Sequence, residues 1–242
     1  MLPSLTERSP AGIIHANVWG EEGRVDAKTR KTGKGQLIAA AIVNVLIVAF
    51  TAYAMSRFFT VGGDGNMAVM NTLCFRYFTV DSNLLAALAS LLLLAGQVKS
   101  LRSGRPPAPG LLVLKHVGAT AVGVTFFTVF CFLGMLYGYR SMVQGGNLFM
   151  HLLTPLLAML GFCLLEAEPP LRFPWVFLGL IPTVLYGTVY AFLVVFRKRW
   201  PDFYGFNMGG RWILSCVLMA AATLLISAGL WALRRTAGRR GR

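Results

Sequence analysis

Six apolar runs constrain this chain more than any other feature. They cover 37–59, 77–97, 113–138, 148–166, 173–196 and 212–233. A helix needs about 20 apolar residues to cross the hydrocarbon layer of a bilayer. No water reaches that layer, so each backbone N–H and C=O must bond within the chain. The alternation of a membrane strand is absent, which leaves helices. The expected fold class is an all-α integral membrane protein, a bundle of six transmembrane helices. Residues 1–36 form a basic N-terminal tail, expected to be flexible and without a signal-peptide run. Residues 37–233 form the membrane domain, and 234–242 form a basic C-terminal tail.

Composition agrees. Hydrophobic residues make up 56% of the chain and charged residues only 13%, about half the charged share of a soluble domain. The net charge of +14 does not point to nucleic acid, because basic residues beside apolar spans orient helices and meet anionic lipid heads. Cys74, Cys131, Cys163 and Cys216 form no C-x-x-C pair and read as small core residues. His15, His116 and His151 lack ligand spacing. Neither a metal nor a cofactor is expected.

Orientation follows from Lys and Arg. With both termini on one side, that side holds 15 of them from Arg24 onward and the other side 7: Arg57, Arg76, Arg140, Arg197, Lys198, Arg199 and Arg211. Both termini are therefore expected in the cytoplasm of a multi-pass cell-membrane protein, with anionic headgroups as partners at that face. The run "FRKRW" at 196–200 breaks the rule. Whatever the sign, loops 60–76, 139–147 and 197–211 must share one face.

The mouth of span two, "FRYFTVDSNLLAALASLLLL", is more polar than a membrane helix needs. Thr79, Asp81 or Ser82 can cap the helix. Thr79 also lies three residues beyond Arg76, and His151 four beyond Asn147, so both sit roughly 4–6 Å below the same surface. A threonine hydroxyl becomes a nucleophile when a base such as histidine takes its proton. Asn83, one turn below Thr79, can donate to an oxyanion or join two helices. His151 can equally be a packing histidine. Lys115 and His116 read as snorkelling at the start of span three. Pro155 and Pro182 are expected to kink their helices.

"RYFT" at 76–79, Ser82 and Asn83 after it, and H-x-x-x-P at 151–155 resemble the androgen-induced-protein family of multi-pass membrane hydrolases. Eukaryotic members of that family cleave fatty acid esters of hydroxy fatty acids with a Thr and a His. The resemblance implies Thr79 as nucleophile and His151 as general base. It extends loosely over 37–233. The segment "VDSN" departs from the eukaryotic members, and Tyr186, Tyr190 and the aromatic loop 200–206 look like bacterial relatives.

The expected function is thus an intramembrane lipid-ester hydrolase. Thr79 and His151 are catalytic, and Asn83, Ser82, Tyr186 and Tyr190 are oxyanion or substrate-binding candidates. Asp202 either orients the imidazole or belongs to an interfacial aromatic anchor, and Tyr204 and Phe206 are lid candidates. Two alternatives stand beside it. One is a transporter or channel with Asn44, Thr79, Asn83, His151, Tyr186 and Tyr190 lining a cavity; the missing internal repeat and the lack of mid-span carboxylates count against it. The other is a non-catalytic scaffold.

Overall fold

The computed structural model describes residues 33–60, 70–166 and 169–240, with the side chains of 239 and 240 left aside. The tail up to residue 32, residues 61–69 of loop one, and 241–242 lie outside the described residues. Among the described residues there are no strands, and six helices are long and apolar enough to cross a membrane. They are α1 (Lys34–Phe59), α2 (Phe78–Ser103), α3 (Pro109–Tyr137), α4 (Gly146–Leu165), α5 (Phe173–Phe196) and α6 (Trp212–Arg240). The chain is a multi-pass membrane protein by this architecture.

The helix ends follow local chemistry. Gly104 takes φ 68°, and its N–H closes α2 onto the Ser100 carbonyl. Pro109 opens α3, where its missing N–H costs nothing. The last helix runs through Arg240 instead of stopping at 233. Arg234 is therefore part of a packed helix and not of a tail: its Nε donates to the Glu166 carbonyl at 2.8 Å.

Between α2 and α3 the backbones nearly touch. A Cβ on Gly118 would stand 3.0 Å from Ala86 Cα, tighter than Cβ atoms normally pack, so glycine suits that crossing. A buried cluster of Ile47, Ala86, Ala119, Val122, Ala158 and Phe162 fills the middle of the bundle. Nearer the loop-one face lies a second, of Ala54, Phe58, Cys74, Val80 and Met150.

Below the central cluster the interior is polar. Lys115 is fully buried, and its Nζ donates to Asn44 Oδ1 and Ser90 Oγ, each at 2.6 Å. Asn44 Nδ2 passes the contact on to Glu166 Oε1 at 2.7 Å and Gln97 Oε1 at 3.3 Å. Cation and carboxylate are thus linked through one amide and tie α1, α2, α3 and the end of α4 together. His116 is buried too. Ser227 Oγ donates to the Val176 carbonyl at 2.7 Å, so the hydrogen between His116 Nε2 and Ser227 Oγ, 2.8 Å apart, belongs to the imidazole.

These bonds correct one expectation. Lys115 and His116 do not snorkel, because each finds an acceptor inside the bundle. Removing one member of a buried charged set leaves the other uncompensated, at a cost of about 3 kcal/mol or more. Lys115→Ala is expected to lower the Tm of the detergent-solubilised protein by several degrees, read by intrinsic fluorescence. An unchanged Tm would mean the network holds nothing together.

Candidate active site

The first residues of α2 are fixed from outside the helix. Tyr77 is extended, with φ −105° and ψ 126°, and no side chain caps the helix. The expectation that Thr79, Asp81 or Ser82 serves as the cap is therefore not met. The first N–H, of Phe78, instead donates to the Tyr204 hydroxyl at 3.0 Å. Tyr186 donates to the Arg76 carbonyl at 2.6 Å, which anchors the residue just before the helix.

Loop five, the chain between α5 and α6, carries Tyr204 and is organised by Asp202. That carboxylate accepts from Tyr190 Oη at 3.0 Å, the Phe206 N–H at 2.8 Å and the Asn207 N–H at 2.9 Å. Asp202 is held within its own loop, and His151 Nδ1 is held by the Met142 carbonyl instead. Tyr190 is the hub of an aromatic cluster, with Phe203, Tyr204 and Phe206 rings 5.0, 5.4 and 5.6 Å away. Tyr77 meets Phe203 at 4.6 Å, and Tyr137 Oη donates to the Phe203 carbonyl at 3.3 Å. The three loops thus converge on one face. Tyr204 lies over the mouth of α2 beside the hydroxyl and backbone of Thr79; Phe206 packs behind it on Tyr190.

Asn83 joins the two candidate catalytic residues. Its Nδ2 donates to the Thr79 carbonyl at 2.7 Å and to the Met150 carbonyl at 3.0 Å. Two carbonyl acceptors fix the orientation of the amide. They also use both of its N–H groups, so Asn83 has none to give an oxyanion. Ser82 is buried and bonds Thr125 Oγ1 at 2.8 Å and the Thr79 carbonyl at 3.1 Å. Both Asn83 and Ser82 pin Thr79 by its carbonyl oxygen.

His151 occupies a widened π-helical turn, Phe149–Leu153. The Thr154 N–H reaches the Phe149 carbonyl five residues back. Pro155 follows and has no N–H for the carbonyl of His151, four residues before it. Such turns recur at functional sites. His151 Nδ1 lies 2.7 Å from the Met142 carbonyl. A carbonyl only accepts, so Nδ1 carries the proton and Nε2 keeps its lone pair. His151 is 8% exposed. No direct hydrogen bond joins Thr79 to His151 among the described residues; they meet through Asn83 and the peptide of Met150.

Sequence spacing had no signal for two of these contacts. Met142 acts through its backbone from loop three, and Tyr204 reaches Thr79 across 125 positions. No family model, no curated protein and no solved structure matches the chain.

Burial raises the Tyr204 phenol from its ordinary 10.0 to about 12. A raised folded value means the native state keeps its proton where the unfolded chain has lost it. That contribution is complete below pH 10 and is lost as pH rises through about 12. Tyr204→Phe is expected to lose about 1 kcal/mol of stability near neutrality with the bond to Phe78. The gap to wild type should shrink from pH 10 to 12 in a thermal-unfolding series. A constant gap would contradict the assignment.

Proposed function

We propose that the chain is an intramembrane lipid-ester hydrolase of the androgen-induced-protein type, with Thr79 as nucleophile and His151 as general base. It resides in the cell membrane with both termini cytoplasmic, so the site opens at the outer leaflet. The observation that carries this reading is the state of His151. The Met142 carbonyl holds the tautomer whose Nε2 accepts protons, at the level where Asn83 ties α4 to the Thr79 peptide.

The reaction runs in two steps. Nε2 of His151 takes the Thr79 proton as the hydroxyl oxygen attacks the ester carbonyl. The imidazolium returns that proton to the departing alkoxide, leaving an acyl-threonine and a free alcohol. Water then loses a proton to Nε2 and attacks the acyl group, and the fatty acid leaves as Thr79 is restored. The Tyr204 hydroxyl accepts from the Phe78 N–H and keeps its own hydrogen, so it takes the oxyanion role that Asn83 and Ser82 do not fill. In the free enzyme catalytic hydrogen bonds are often long and tighten with substrate. An acyl chain stays in the bilayer while its ester sits at the shallow depth of Thr79.

The transporter reading gains one observation, the buried Lys115–Asn44–Glu166 set, since ionisable groups at membrane depth default to function. Against it, the cluster of Ile47, Ala86, Ala119, Val122 and Ala158 fills the bundle between that set and His151.

A fluorophosphonate probe separates the readings. Wild-type protein in nanodiscs is expected to label covalently, Thr79→Ala not at all, and His151→Ala at least a hundredfold more slowly. Full labelling of Thr79→Ala would remove the nucleophile, and solute flux into proteoliposomes without labelling would favour transport.

A further inference from the structure

The cations that break the orientation rule gather around this mouth. Arg197, Lys198 and Arg199 are exposed at the end of α5. The chain there is not loose: the Arg199 and Trp200 N–H groups both donate to the Leu193 carbonyl, at 2.8 and 3.3 Å. Lys198 takes φ 51°, a left-handed value that a side-chain-bearing residue adopts only at a cost. The Arg76 guanidinium lies 5.8 Å from the centre of the Trp200 ring, which sets Arg76 beside the run. Among the described residues no carboxylate pairs with Arg76, Arg197, Lys198 or Arg199. The nearest acid to the run in sequence, Asp202, holds Tyr190 and two backbone N–H groups of its own loop.

Four cations with no carboxylate partner among the described residues, at the face where Lys and Arg are normally depleted, suit an anion supplied by another molecule. We propose that this molecule is an anionic glycerophospholipid, its phosphate taken by Arg76 with Arg197, Lys198 and Arg199 and its ester presented to Thr79. The substrate assignment rests on the hydrolase reading; the headgroup site does not. The vertical order fits. Arg76 lies outside α2 and Thr79 is its second residue, so phosphate above and ester below match the layout of a phospholipid in one leaflet. Arginine suits the role, because its planar fork binds phosphate oxygens in pairs. Trp200 and Tyr204 are ring-bearing residues of the same loop, of the kind that settles at headgroup depth.

The test uses full-length Thr79→Ala protein, which binds without turnover, in nanodiscs of equal phosphatidylglycerol and phosphatidylcholine. Lipid retained on extraction is counted by native mass spectrometry. Phosphatidylglycerol is expected to be enriched on the protein. Each cation near an anionic lipid contributes roughly fivefold, so Arg197→Gln/Lys198→Gln/Arg199→Gln should lower the enrichment by on the order of tenfold or more, and Arg76→Gln by several-fold. Arg140→Gln, an exposed cation of loop three, should leave it unchanged. Equal enrichment in all variants, or an equal loss from Arg140→Gln, would overturn the site in favour of a diffuse surface field. Displacement of the lipid by millimolar inorganic phosphate would also overturn it, pointing to a soluble anion. A parallel assay gives wild-type protein each lipid as substrate. Selective retention without hydrolysis of either removes the hydrolase reading and leaves the headgroup site. Equal hydrolysis of both, with no selective retention, removes this inference alone.

Discussion

The Asn83 amide is the interaction on which the candidate site depends. One nitrogen bonds the carbonyls of Thr79 on α2 and Met150 on α4. In hydrocarbon such a bond has no water to compete with, and the bare carbonyls would otherwise carry a desolvation cost. The result is that two shallow polar residues on separate helices are kept at one level. Ser82 holds the Thr79 carbonyl from the other side and ties α2 to α3. Loop five closes the arrangement from above, through the bond between the Phe78 N–H and Tyr204.

Two polar layers with different roles follow. The layer of Lys115, Asn44, Ser90, Gln97 and Glu166 is buried and internally bonded. It joins four helices, and the apolar cluster of Ile47, Ala86, Ala119, Val122 and Ala158 packs between it and the mouth. The layer at the mouth is shallower. It contains His151, whose tautomer is set by a loop carbonyl, and Thr79, half-buried under Tyr204. The first arrangement suits stability and the second suits chemistry.

The six spans, their order and the sharing of one face by loops one, three and five could all be read from the chain. Apolar length is a local property, and the bilayer acts on it directly. Single residues at the mouth were less legible. Thr79, Asn83 and His151 stood out because polar groups near the membrane core are costly. Their partners did not, because Met142 contributes only a carbonyl, and every residue has one. Asn83 was open between donor and fastener, and only the position of Met150 decides that. Asp202 looked equally able to hold an imidazole or a loop; three donors from its own loop and Tyr190 settle it.

The sequence by itself determined that this is a helical membrane chain with a polar mouth and a basic run, Arg197 to Arg199, in a loop on the face it opens to. Hydrophobic length, helix periodicity and charge placement act through near neighbours in the chain. Tertiary structure alone decided that Lys115 and His116 turn inward to acceptors 25 to 111 residues away. It likewise decided that Tyr204, not a residue of α2, caps that helix. Those outcomes depend on which helices become neighbours, and packing between helices is a property no single span carries.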